Sequence, residues 1–298
     1  MRLIPRIRAV SLGIAASLAA AGWCPVLLAA PRQAPADILI RNARVVHGDG
    51  RVTRLASVVI RNGSIEIVQP LAAPARGPGD APARRVIEAE GLTIVPGLID
   101  AHVRLQPWTL PLFLEAGVTT VRDLHGSSAD VSPLAPESRL DRPRVLASGP
   151  IVDGPGGDPA AAAVVTTVGE ARAAVRRLIE PGARVIAVSP RVEPALLTVV
   201  VSEAKARGVP VAAHLGRTTA THAAYAGVTS IEHLSGVTEA ASADTDRLVK
   251  AHAEFFAGWT AAMLEWRRLP LQRLEAIARD VAEKGVVMVP TLVAHETV

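Results

Sequence analysis

Apolar and polar residues alternate along 37–46, 57–61 and 64–68. This two-residue period belongs to strands with one face turned to a core. Asn62-Gly63 sits between the second and third runs, the dipeptide that a tight hairpin turn favours. A Pro-, Gly- and Ala-rich stretch over 70–83 predicts a loop, and 85–90 a further short strand. From residue 92 the pattern changes. Short apolar runs at 93–103, 119–124, 144–148, 184–188, 209–214, 229–234 and 285–292 predict seven strands. Stretches of helical period separate most of them, at 110–116, 168–179, 194–206, 218–226 and 244–284, the last broken near Pro270. Strands alternating with helices read as parallel βαβ units, so the expected fold is α/β. A Gly- and Pro-rich loop is expected around Gly154-Pro155-Gly156-Gly157-Asp158-Pro159.

Composition narrows this picture. Of the 298 residues, 49% are hydrophobic and only 3% aromatic, so Leu, Val, Ile and Ala must fill the core. That usage suits an α/β protein better than an antiparallel sandwich. Arg2, Arg6 and Arg8 precede a small-residue apolar run from Ala9 to Gly22. This reads as a signal peptide over 1–30 and predicts a periplasmic or secreted protein with no stable membrane span after cleavage. The formal charge of +4 includes those three arginines, which leaves about +1 for the remainder. No basic helix or aromatic–basic interleaving points to nucleic acid. Cys24 is the only cysteine, so no disulfide can form within the chain.

The candidate chemistry lies at strand ends. Pro96-Gly97-Leu98-Ile99-Asp100-Ala101-His102-Val103-Arg104-Leu105 sets Asp100, His102 and Arg104 on one face if the strand alternates throughout. His214 ends the fifth barrel strand, and His233 ends the sixth in Ser230-Ile231-Glu232-His233. Three imidazoles at strand ends suit Zn²⁺ or a similar divalent ion, at most one per chain. Alternation turns Glu232 away from His233. Arg104 supplies donors only, and either holds a substrate anion or pairs with an acid such as Asp100. His125 and His295 follow strands near the same mouth and are candidate substrate-binding residues. His222 and His252 fall in helices and read as surface residues.

The first of these stretches resembles the Pro-Gly-x-Ile-Asp-x-His-x-His motif of the metal-dependent amidohydrolases, with Arg104 at the second histidine. The stretches ending in His214 and His233 resemble the same family, and residues 37–298 are similar to its imidazolonepropionase- and prolidase-like branch. The resemblance implies a TIM-type (β/α) barrel over 92–298 and a small β-sandwich segment over 31–91. It implies hydrolysis of a carbon–nitrogen bond (a non-peptide amide, cyclic amide or dipeptide-like bond) in a small-molecule substrate by metal-activated water. It also marks departures: Ala187 stands where a carboxylated lysine is expected, Asp158 where many relatives carry histidine, and the eighth strand with its aspartate is not reached. Asp100 then becomes the candidate base. The alternative is an inactive, truncated homologue that binds a small anion or a partner. Open barrel edges would be covered by a second copy or a complementing chain.

Overall fold

The computed structural model describes residues 34–70, 82–126 and 142–293. The expected signal peptide, most of the 70–83 loop and His295 lie outside the described residues. The chain divides into two compact units between Val95 and Pro96.

The first unit is one five-stranded sheet. Strands β1 (Ala36–Val46), β2 (Val52–Arg61), β3 (Ser64–Pro70) and β4 (Ala83–Glu88) run in the order β3-β2-β1-β4, and β5 (Thr93–Ile94) also pairs with β1. The β2–β3 hairpin turns at Asn62 and Gly63, with φ of 52° and 72°. Positive φ at both central residues is what a type I′ turn requires. A single sheet forms among the described residues where the resemblance implies a sandwich segment. Its apolar residues gather in two clusters, one around Val45 and Val58 and the other around Leu39 and Val59.

The second unit begins with β6 (Leu98–Val103), α1 (Leu110–Glu115), β7 (Val118–Asp123) and β8 (Arg144–Ala147). These strands form a parallel sheet in the order β6-β7-β8. Next come β9 (Ile151–Asp153), β10 (Ala162–Val164), α2 (Val168–Ile179), β11 (Ile186–Val188), α3 (Pro194–Lys205), β12 (Val211–Ala213), α4 (Ala220–Ala226) and β13 (Ser230–Glu232). Helices α5 (Val237–Ala241), α6 (Thr245–Ala251), α7 (Phe255–Glu265) and α8 (Leu271–Glu283) precede β14 (Val287–Val289). The second parallel sheet has the order β10-β9-β11-β12-β13-β14. Arg184 N donates to Ala147 O at 2.9 Å and links the two sheets.

The expected barrel strands are all present, most of them in shortened form, but the described residues form two parallel sheets and no closed barrel. Strands β9 and β10 fall in the stretch that composition reads as a loop. Three residues are too few to display a period, and the flanking glycines mask them. The helices behave as their sequences dictate. Thr167 and Glu170 form a reciprocal capping box at the start of α2, and Ala171, Ala174, Val175 and Leu178 bury its inner face. With Ile186, Leu197 and Ile231 they belong to one large core between helices and sheet. Each fully buried Leu or Ile there contributes about 1.5–3 kcal/mol.

Two features shape the C-terminal ends of the strands. Leu124, Val185, Ala187 and Ala212 pack as a small interior cluster, and the two alanines leave volume that larger side chains would occupy. The loop after β9 lies against the loop after β11, so that a Cβ on Gly154 would stand 2.1 Å from Arg191 O. Gly154→Ala should therefore cost about 1–3 kcal/mol through overpacking. A lower midpoint of thermal unfolding would show it, and an unchanged midpoint would contradict this close approach.

Candidate functional site

A cavity of about 290 Å³ opens at these strand ends. His102 from β6, His214 after β12 and His233 after β13 line one side of it. The His102 and His233 ring centroids are 4.4 Å apart and those of His214 and His233 4.5 Å, both pairs edge to face. Phe255 and Trp259 of α7 close over His214 at 5.6 and 5.4 Å. Arg104, His125, Asp153 and Arg191 also line the cavity.

The local backbone explains which side chains arrive. The β6–β7 register shifts between Asp100 and Val103, and the Asp100 carboxylate accepts from His102 N at 3.1 Å. Strand alternation therefore fails at the end of β6. His102, Val103 and Arg104 line the cavity in succession, while Asp100 is not among the lining residues. At the end of β13, His233 and Leu234 have φ of 60° and 56°. Left-handed backbone at two non-glycine residues is costly. Here it turns the chain so that Glu232 and His233 both reach the cavity, against the alternation that would separate them.

Glu232 is 1% exposed and fully engaged. Its Oε2 accepts from His102 Nδ1 at 2.8 Å. Its Oε1 accepts from Arg122 at 2.7 Å and from Ser230 Oγ at 2.6 Å. Burial alone would raise its pKa, but the His102 hydrogen bond and the Arg122 charge outweigh that, so the carboxyl titrates below its ordinary value. An ionised carboxylate can only accept, so His102 carries a proton on Nδ1, and in the neutral ring the lone pair is on Nε2. The same logic applies to His233. Thr291 Oγ1 donates to Pro290 O at 2.8 Å and so accepts from His233 Nδ1 at 2.6 Å, which again sets the lone pair on Nε2. His214 is held neutral because burial, then the neighbouring His233 and His102, push its pKa well down. Its Nε2 is buried without a hydrogen-bond partner among the described residues.

Two imidazoles held through Nδ1 and an orphaned nitrogen on the buried His214 fit a divalent ion in donor chemistry. The rings pack edge to face, and no three His, Cys, Asp or Glu side chains among the described residues are arranged as a metal cage. Seating an ion therefore requires the rings to turn.

A second group of polar residues lines the cavity. Asp153 accepts from Gly154 N at 2.8 Å, from Ser189 Oγ, and from Arg191 at 2.9 Å. The pKa of His125 is lowered by burial first and by the Arg104 charge second. His295 lies outside the described residues. His252 is 3% exposed and pairs with the buried Glu239 at 2.6 Å, so it is an interior residue rather than a surface one. Sequence reading missed Arg122, Asp153 and Arg191. The available signal was charge within or beside apolar strands, which is costly unless paired.

Removing the Arg104 charge relieves a penalty on the His125 imidazolium. In an NMR titration His125 should have a midpoint below the ordinary imidazole value of about 6.5. Arg104→Met should raise that midpoint. A midpoint that does not move would separate the two side chains.

A model of the Amidohydrolase family matches residues 93–295. The adenine deaminase of Paracoccus denitrificans is 41% identical over 75 residues, which is 25% of this chain and 12% of that protein. The dihydroorotase of Geobacter sulfurreducens is 38% identical over 71 residues, 24% of this chain and 15% of that one. These curated relatives are thus matched over less than a fifth of their own length. The crystal structure of a putative prolidase from Bifidobacterium longum superposes with a TM-score of 0.61 at 22% identity, covering 85% of this chain and 73% of that one. A family model that spans most of the second unit, with three histidines at the ends of its parallel strands, identifies the chain as a member of the amidohydrolase family.

Proposed function

We propose that the chain hydrolyses a carbon–nitrogen bond in a small substrate with the help of one divalent ion, zinc or similar, held by His102, His214 and His233. The observation that carries this reading is the fixed tautomer of two of the three histidines. Glu232 and Thr291 occupy the Nδ1 positions and leave lone pairs on Nε2. The named relatives, an adenine deaminase, a dihydroorotase and a putative prolidase, support carbon–nitrogen bonds as the target.

A bound ion of this kind polarises a carbonyl and acidifies water. The chain's own residues do the rest. Glu232 holds His102, Thr291 holds His233, and Phe255 with Trp259 keeps water from the His214 side. The proton acceptor in this reading is His125, which lines the cavity and is neutral at pH 7 because its pKa is lowered. Asp100 instead secures the end of β6 through the His102 amide. The cavity, near the lower end of the roughly 300–1,000 Å³ typical of ligand pockets, favours a compact substrate. The leader-like run over 1–30 supports a periplasmic or secreted location for this activity.

Metal content after dialysis against metal-free buffer tests the ion. About one zinc per chain is expected, and His214→Ala should lose it. Glu232→Gln should weaken zinc about 10–100-fold in a chelator competition, because the carboxylate that orients His102 is gone. Zinc-loaded protein is then assayed for release of amine or ammonia from amides, cyclic amides and dipeptides. Failure to retain zinc, or retention without any such hydrolysis, would overturn the proposal.

A further inference from the structure

The charges on the cavity wall do not balance. Glu232 is matched by Arg122, which approaches from behind the wall, and by His102. Asp153 is matched by Arg191, with Ser189 Oγ and Gly154 N completing its shell. The remaining charged residue lining the cavity is Arg104, which forms no ion pair among the described residues. Both acids that could neutralise it from the wall are already engaged. Its nominal neighbour Asp100 turns to the His102 amide instead. Arg104 is an exposed, unmatched guanidinium, and it leaves its end of the cavity positive. A guanidinium fork offers planar paired donors of the shape that a carboxylate accepts. Val103, Leu124 and Ile151 also line the cavity and offer only apolar contact.

We propose that Arg104 is a specificity residue that holds a carboxylate on the substrate, so that the cavity selects small anionic amides over neutral ones. This names the charge of the substrate in the hydrolytic reading above and rests on that reading for the reacting bond. The carboxylate sits at Arg104, and the amide extends toward the three histidines. Arg104 takes no part in bond cleavage.

The test separates binding from turnover. The full chain is stripped of metal by chelation, because an ion would itself hold a carboxylate. Binding of N-acetyl-L-alanine and of its neutral carboxamide is then measured by calorimetry, with saturation-transfer NMR for weak binding. The acid is expected to bind at least tenfold more tightly than the amide, with the preference shrinking as salt rises. Arg104→Met should remove the preference and leave the weak binding of the amide unchanged. Arg104→Lys, which keeps the charge without the fork, should restore part of it. Thermal unfolding of each variant checks that the fold is intact. Equal binding of acid and amide by the parent, or an unchanged preference in Arg104→Met, would overturn the proposal. The hydrolytic reading stands or falls separately, on turnover by the zinc-loaded parent.

Discussion

The site depends on one buried carboxylate. Glu232 stands at the end of β13 with 1% exposure, and an ion so placed is tolerated only if its lone pairs are satisfied. Arg122 comes from β7, His102 from β6 and Ser230 from β13 itself. One group thus ties the first two strands of the second unit to a strand more than a hundred residues later. Arg122 also donates to Ala101 O at 2.6 Å, so the guanidinium braces the strand that carries His102. Breaking a buried pair of this kind costs about 3–5 kcal/mol, because the surviving charge stays buried. The same hydrogen bonds set the tautomer of His102, so stability and the chemical state of the site share a cause.

Around that carboxylate the backbone departs from regularity where the chemistry is. A register shift ends the alternation of β6, and two left-handed residues end that of β13. Each departure brings into the cavity a side chain that a regular strand would turn away. The inward residues of β11 and β12 are alanines at positions where bulky residues commonly fill a barrel interior. Cavity and irregular strand ends are therefore complementary: small residues make the volume, and the break after β13 brings Glu232 and His233 to it together.

The electrostatics divide the cavity into two halves. In one half, burial first and then the neighbouring His233 and His102 keep His214 unprotonated, and Glu232 is paired with Arg122 and His102. The other half holds an Asp153–Arg191 pair and the exposed Arg104. Burial first, and the Arg104 charge second, lower the pKa of His125. A single unmatched charge is therefore felt by a neighbouring imidazole as well as by any ligand.

Much of this was legible in the order of residues. Period-two runs and the Asn62-Gly63 turn determined the N-terminal strands, because a strand's faces and a hairpin's φ angles are local properties. Alternating strands and helices determined a parallel α/β unit, and residues such as His102, His214 and His233 at matching strand ends marked one mouth. Strands β9 and β10 stayed hidden because three residues carry no period. The tertiary structure alone decided that Glu232 faces inward, that His252 is buried on Glu239, and that Asp100 leaves the cavity to Arg104. Those outcomes turn on where alternation breaks and which distant group pays for a buried charge. A sequence fixes the period of a strand, but the partner of a buried ion is chosen by residues far along the chain.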